Sequence, residues 1–482
     1  MSTARLDPAL NAAPADPRHI HLIGICGTGM AALAGMLQAR GYTVSGSDEN
    51  VYPPMSDFLA GLAIPVQAGY AAANLDGRPD LVIVGNVVRA ANPEAVELAR
   101  LGLPYLSMPQ ALGHFFLADK TSLVVAGTHG KTTTASLLAT TLHRMGATPG
   151  FMIGGLVEAF GSNFHVSDGP YFVVEGDEYD TAFFNKVSKF QHYRPNSAIL
   201  TSIEFDHADI FADLAAIKRS FAEFIGRIPV RGALVAHLDD PVVAELAREA
   251  RCPVIGYGLA DGYEWRYDDF EPRGLASEFS VFRRGQLQGR CRLPMPGRHN
   301  ALNALAVIAL LPRLGFPFAS LAAGLGSFEG VKRRQQVRGV AGGVTVVDDF
   351  AHHPTAVRET LQALRLAWPD SRLVVVFEPR TNSSRRAVFQ DDYAGVFGDA
   401  DRTLIREHVP LDTVPAEEQF SSRRLAEDLR ARGLDAKRYA DTDAILDALA
   451  NSCRSGDVVA ILSNGGFDNI HERLLARLGQ AD

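Results

Sequence analysis

The sequence predicts an α/β protein of three domains in series, each built on a parallel sheet: a Rossmann-like first domain, a phosphate-loop central domain and a Rossmann-like third. Three observations predict it. The chain has 482 residues, too many for one ordinary core and enough for about three. Short apolar runs alternate with helical stretches along most of its length, the mark of βαβ repetition. Two glycine turns, "GICGTGM" at 24–30 and "GTHGKT" at 127–132, each follow a buried-strand pattern and open a helix. That is where open α/β sheets bind phosphates.

The elements follow in order. Residues 1–17 are rich in Ala, Pro and Asp and read as a loose, disordered tail. "HIHLIGIC" (19–26) is a buried strand. The stretch 29–41 is an Ala/Leu helix closed by Gly41, and 42–48 and 80–86 are further strands. Residues 107–120 read as a connector, so the first domain spans 18–118. The second, 119–335, opens with "TSLVVAGTHGK", adds strands at 171–177 and 196–206, and closes with a loop and helix at 295–315. The third, 336–482, carries strands in "GVTVVDDFAHHP" (343–354), "RLVVVFEPR" (372–380) and "GDVVAILSNGGFDNIHERLL" (456–475).

Composition narrows the function classes. A net charge of −8 argues against general nucleic-acid binding, which wants a basic surface. Cys26, Cys252, Cys291 and Cys453 lie far apart, without metal-type pairing, as in a reduced cytosolic protein. No run reaches the roughly 18 apolar residues of a membrane span, and no signal-peptide pattern opens the chain. The expectation is a cytoplasmic protein with no membrane or nucleic-acid partner; its oligomeric state is not specified.

The first glycine turn is spaced Gly24-x-x-Gly27-x-Gly29, with Cys26 where a dinucleotide fingerprint has its second glycine. Open N–H groups at a helix N-terminus hold a diphosphate. Candidate ligands are Gly24, Gly27, Thr28, Gly29 and Met30, with Asp48 and Asn86 at the ends of the next strands; Asp48 is placed to touch a ribose or sugar hydroxyl. The competing readings are a tight turn without a ligand, and an NAD-dependent oxidoreductase.

The second turn has Val125 where the usual phosphate loop has its first glycine. Gly127, Thr128, His129, Gly130, Lys131, Thr132 and Thr133 still supply a backbone wrap, an ammonium and a hydroxyl for Mg²⁺. The competing reading is a glycine turn with a solvent lysine. Magnesium wants hard oxygens. Glu175 ends a strand of the same domain and is followed by Asp177 and Glu178. Asp206 and His207 end another.

These residues resemble the Mur ligase superfamily, ATP-dependent ligases of bacterial cell-wall precursors, from about residue 19 to 475. The resemblance rests on the short loop Gly127–Thr132, on Glu175, on the pair Asp206-His207 and on "HNALN" with His299, Asn300 and Asn303. Arg334 in "KRRQQ" and Asp349, His352 and Pro354 in "DDFAHHP" complete it. It implies Lys131, His207, Asp349 and His352 in catalysis. Asn300, Asn303, Arg334 and Asp349 join the loop at ATP, although Asn300 also reads as a helix cap. Thr132, Glu175 and His207 would hold Mg²⁺. Arg333 is expected to face solvent and His353 to be structural.

The turn at 24–30 and "DDFAHHP" resemble the branch that uses UDP-N-acetylmuramate, which makes the first domain the UDP-sugar site. "GSDENVYPPMS", "EGDEYDTAFFNK", "EFDHADIF", "GVKRR" and "SNGGFDNIHERLL" resemble the members that add the murein tripeptide L-alanyl-γ-D-glutamyl-meso-diaminopimelate. The alternative amine is L-alanine, and a non-catalytic UDP-sugar sensor is a third option. Arg380, Asn382, Ser383, Arg385, Arg386, Asn464 and Gly465 are candidates for the peptide, since arginine forks match carboxylates. One departure matters. Several members carry a carbamylated lysine about 14 residues after the D-H histidine; here that count reaches Phe221, and the nearest lysine is Lys218. The D-N-P-R motif of the diaminopimelate-adding ligase is also absent.

Overall fold

The computed structural model describes residues 3–208, 210–412 and 414–480. Two residues at each end of the chain, 1–2 of the expected tail and 481–482 of the third domain, lie outside the described residues. The chain divides into two compact units. One comprises Met1–Ile203, Ala215–Tyr257 and Ala309–Gly315; the other comprises Glu204–Leu214, Gly258–Ile308 and Phe316–Asp482.

Among the described residues the first unit holds two larger sheets and a two-stranded hairpin. In one, β1 (His19–Ile23), β2 (Thr43–Asp48), β3 (Val66–Ala68), β4 (Leu81–Val84) and β5 (Tyr105–Ser107) pair in the order β3-β2-β1-β4-β5. All pairs are parallel, and in the central strands Leu22, Ile23, Val82 and Ile83 are fully buried, as the middle of a parallel sheet requires. Strand order reverses between β1 and β4, which opens a crevice at the end of β1. The turn after β1 feeds the helix Thr28–Ala39, with Gly27 as its N-cap.

The expected loose tail differs over residues 3–17. Asp7 caps a short turn at Pro8–Leu10, Asn11 donates to the Tyr105 carbonyl at 3.0 Å, and Ala4, Leu6 and Leu10 pack on the core beneath. Composition hid the few apolar side chains that anchor it. The expected connector is the helix Met108–Phe115, opened by a Ser107–Gln110 capping box.

A buried polar knot braces this sheet. Glu94, fully buried, accepts from Ser47 Oγ at 2.7 Å and Asn74 Nδ2 at 2.6 Å and faces His21 Nε2 at 3.3 Å. Glu94→Ala strands these partners. It is expected to cost about 3 kcal/mol, seen as a lower melting temperature; an unchanged melting curve would contradict the assignment.

The other sheet of this unit contains β6 (Thr121–Ala126), β7 (Gly150–Val157), β8 (Ser162–His165) and β9 (Tyr171–Gly176). A hairpin of β10 (Asp180–Ala182) and β11 (Asn185–Ser188) follows, then β12 (Ser197–Leu200), β13 (Ala233–His237) and β14 (Val254–Gly258). The order is β14-β13-β12-β6-β9-β7-β8. All are parallel except β8, which runs antiparallel to β7. Val125 sits inside β6, paired with Ile199 and Glu175 and fully buried. It belongs to the strand, and the wrap begins at Gly127.

The second unit holds an antiparallel meander, β15 (Trp265–Arg273), β16 (Ala276–Arg283) and β17 (Gln286–Leu293). Its larger sheet uses β18 (Gln336–Ala341), β19 (Val344–Asp349), β20 (Leu373–Phe377), β21 (Arg402–Arg406), β22 (Ala436–Tyr439) and β23 (Val458–Leu462), in the order β18-β19-β23-β20-β21-β22. Only β18 is antiparallel. Helices cover both faces, one over Phe377 and Leu361, the other over Val376 and Leu474.

Candidate active site

In the first unit the phosphate loop joins β6 to the helix Lys131–Arg144, whose N-cap is Gly130 at φ +76°. Gly127, at φ +135°, has no room for a side chain: a Cβ would lie 2.2 Å from Thr201 Oγ1 and 2.9 Å from the Ser202 nitrogen. Residues just past β12 pin the loop. Thr128 N donates to Ser202 O at 2.8 Å, His129 N to Ser202 Oγ at 3.0 Å, and Thr201 Oγ1 to His129 O at 2.6 Å. Thr132 starts the helix and donates to Glu175 Oε1 at 2.8 Å. Glu175, at the end of β9, also accepts from Gly154 N at 2.7 Å. Burial, then Asp177, pushes the Glu175 carboxyl up; Lys131 and these two hydrogen bonds pull against them. Such a carboxylate favours a cation beside it.

Lys131 Nζ contacts Glu178 Oε2 at 2.9 Å and Gly127 O at 2.6 Å. Burial works against its charge, and Glu178 and Asp177 outweigh it, so its pKa stands above the ordinary value. Thr133, the third residue of the helix, is buried. Phe221, at the carbamylation position, is buried in the core against Phe190, and Lys218 pairs with Glu245 at 2.6 Å.

The turn at 24–30 lies in the same unit. Gly24 has φ +84°, and the Gly24 and Ile25 nitrogens donate to Ser47 O. Asp48, expected at a sugar hydroxyl, accepts from Cys26 N at 2.9 Å and Asn50 N at 3.0 Å. It orders the turn from within. Thr28 and Gly29 open the helix and Met30 is buried, while Asn86 is exposed just past β4.

In the second unit, buried Asp206 is the hub of three imidazoles. Burial raises its pKa, but His207, His352 and His353 pull harder and hold it well below the usual carboxylate range. His207 has φ +54°, and its nitrogen donates to Asp206 Oδ1 at 2.7 Å. His352 Nδ1 lies 3.0 Å from Phe350 O. His353 caps the helix Pro354–Ala367 and lies 3.3 Å from Phe205 O. Beside them opens a cavity of about 460 Å³, lined among others by Phe205, His353, Arg358, Phe389 and Asp392.

Asn300 and Asn303 stand inside the helix Arg298–Leu310, 2% and 8% exposed. Asn300 is therefore past the cap position. It donates to Pro296 O at 2.8 Å and Gln335 Oε1 at 3.0 Å, and Asn303 donates to Asn300 Oδ1 at 3.3 Å. Burial lowers the pKa of His299 to about 4. Asp349 accepts from Gln335 N at 2.7 Å and Ala351 N at 2.8 Å. Arg334 lies over the Phe350 ring, 4.7 Å from its centroid. The expectation that Arg333 faces solvent is corrected. Its φ is +62°, and the guanidinium donates to Ser463 O at 2.6 Å and Gly465 O at 2.7 Å.

The structure brings part of the candidate peptide loop together. Arg380 lies against Gly465, where an added Cβ would meet its guanidinium carbon at 2.4 Å. Arg385 donates to Val409 O at 3.2 Å and Asn382 Oδ1 at 3.3 Å. Burial, then Arg380, lowers its pKa. Ser383 Oγ accepts from Ala208 N at 3.4 Å. Arg385 Nε, Arg386 Nε and Asn464 Oδ1 are enclosed without a hydrogen-bond partner among the described residues.

The sequence does not single out Thr201, Ser202, Gly154 or the role of Glu178. One signal was present: a glycine inside a strand pattern, as in "FMIGG", marks close backbone approach. A Cβ at Gly154 would lie 2.9 Å from Glu175 Oε2.

Three family models match the chain in order: Mur ligase family, catalytic domain, at 19–120; Mur ligase middle domain at 125–311; and Mur ligase, glutamate ligase domain, at 333–465. The UDP-N-acetylmuramate–L-alanyl-γ-D-glutamyl-meso-2,6-diaminoheptandioate ligase of Escherichia coli K12 is 39% identical over 464 residues, 96% of this chain and 98% of that protein. The chain belongs to the Mur ligase family. Another Mur ligase, the UDP-N-acetylmuramate–L-alanine ligase of Geobacter sulfurreducens, is 36% identical over 96% of this chain and 98% of its own. The crystal structure of a murein peptide ligase from Psychrobacter arcticus matches with a TM-score of 0.71 and 34% identity, over 96% of this chain and 99% of that one. The three-domain α/β layout expected from the sequence is that of these Mur ligases.

Proposed function

We propose that this Mur ligase is an ATP-dependent amide-forming ligase that joins the lactyl carboxylate of UDP-N-acetylmuramate to the amine of L-alanyl-γ-D-glutamyl-meso-diaminopimelate. It would serve peptidoglycan recycling in the cytoplasm. The observation that carries the choice of amine is the near-full-length likeness to two tripeptide ligases, at 39% and 38% identity. No described helix is long and apolar enough to cross a membrane.

A carboxylate and an amine do not condense in water without a leaving group. In the reading offered here a lactyl carboxylate oxygen attacks the γ-phosphorus of ATP and ADP leaves. The peptide amine then attacks the acyl carbon, and phosphate leaves as the amide forms. Such phosphoryl transfer is governed by positioning and charge. Lys131 neutralises charge on the transferring group, and the backbone from Gly127 to Thr133 wraps the phosphates. Asn300, Asn303, Arg334 and Asp349 serve the nucleotide: Asn300 and Asn303 on the adenine edge, Arg334 as a phosphate clamp and Asp349 by ordering the turn beside it. His352 orients or deprotonates the attacking amine. Gly24 to Met30, with Asp48 and Asn86, shape the UDP-sugar turn. Arg380, Asn382, Ser383, Arg385, Arg386, Asn464 and Gly465 face the peptide carboxylates.

The hydroxyl of Thr132 and the carboxylate of Glu175, 2.8 Å apart, are the hard oxygen set that Mg²⁺ takes. They would hold it, with His207 assigned to a second ion. When bound, the ion screens the triphosphate charge.

The L-alanine reading is favoured by the 36% relative. Purified protein with ATP and UDP-N-acetylmuramate, offered each amine, separates the two. The tripeptide is expected to give a kcat/KM at least about a hundredfold above that of L-alanine; efficient turnover of L-alanine alone would reverse the choice.

A further inference from the structure

A lysine ammonium has three donors. Around Lys131 Nζ stand four oxygens: Gly127 O at 2.6 Å, Glu178 Oε2 at 2.9 Å, Glu178 Oε1 at 3.2 Å and Thr128 O at 3.3 Å. Its donors are all turned inward, onto its own loop and onto one carboxylate. The pair is enclosed, with the lysine side chain 11% exposed and the glutamate 3%.

The neighbouring acids have other work. Asp177 faces Lys189 at 3.2 Å, and Glu175 accepts from Thr132 and Gly154. Glu178 lies between β9 and β10, two residues past the end of β9, where its carboxylate reaches the lysine of the phosphate loop. Charged side chains this buried persist where they are paired. A loop whose lysine is already neutralised receives a triphosphate only by giving up that pair.

We propose that Glu178 is an internal counter-ion that stands in for the triphosphate. It holds Lys131 and closes the loop in the nucleotide-free enzyme, and ATP displaces it from the ammonium. The inference rests on the ATP site proposed above. It makes Glu178 a positioning residue: it keeps the ammonium aimed and the loop folded between turnovers, at a cost in nucleotide affinity. Closed loops reduce apparent affinity by the fraction of molecules that are open.

Calorimetric titration with a non-hydrolysable ATP analogue, and melting curves with and without it, test this on the wild type, Glu178→Gln and Glu178→Asp. Glu178→Gln is expected to bind the analogue about tenfold tighter. Without nucleotide it should melt below the wild type, and the gap should close at saturation. Glu178→Asp keeps the charge at shorter reach, is the better folder, and should tighten binding by a smaller factor. Unchanged or weaker binding in both variants would overturn the inference while leaving the ATP site standing. A melting gap that persists at saturation would also overturn it. A wild type that does not bind the analogue would sink the ATP reading and this inference together.

Discussion

Lys131→Ala lowers the rate of ligation by about a thousandfold or more, the scale set by removing a preorganised charge from a transition state. Chromatography of the ligated product and of ADP measures it. The same substitution strands Glu178, which is nearly buried, so some stability is lost as well. The double variant Lys131→Ala/Glu178→Gln separates the two effects. It removes the orphaned charge and restores the melting temperature, yet remains inactive. Lys131→Arg does not rescue, because a planar guanidinium cannot reproduce a compact ammonium seated on two loop carbonyls. A double variant that ligates at a tenth of the wild-type rate would remove Lys131 from the chemistry.

Gly127→Ala has the second-largest expected effect. The backbone there has φ +135°, and the new methyl would meet Thr201 Oγ1 at 2.2 Å and the Ser202 backbone at 2.9 Å. Something must move, and what stands nearest are the residues that pin Thr128 and His129. The KM for ATP is expected to rise at least about tenfold, with a stability loss of about 3 kcal/mol from strain and lost contacts. Gly146→Ala is the control. Gly146 also has positive φ, +80°, but nothing lies within 4 Å of the added carbon. It should cost about 1 kcal/mol and leave the KM for ATP unchanged. Equal KM values for the two variants would mean that the packing around Gly127 does not shape the loop.

Much of the site is legible in the sequence because its chemistry is local. A strand, then a glycine turn, a lysine and a threonine within the next six residues, already define what they can do with a phosphate. Acids at strand ends fall at the same edge of a parallel sheet by topology alone. The contacts that hold these groups come from elsewhere in the chain. Thr201 and Ser202 carry no motif, yet they hold the loop because β12 lies beside β6. Gly154 is one glycine among many until β7 is seen beside β9, with its nitrogen on Glu175. Arg333 and Arg334 are indistinguishable as letters. Both guanidinium groups lie over the Phe350 ring, but only the tertiary structure shows that Arg333 donates to the Ser463 and Gly465 carbonyls.

The sequence by itself determined the α/β class, the family likeness, the short phosphate loop from Gly127 to Thr132, and the absence of a lysine at the carbamylation position. Each of these depends on residue type and on order and spacing along the chain. Only the tertiary structure decided which acid meets Lys131, that Asp206 gathers three imidazoles, that Asp48 orders its own turn, and that the N-terminal residues from 3 to 17 are anchored. Pairings of that kind depend on strand order and side-chain burial, which bring together groups far apart in the chain. Spacing along the chain carries no record of them.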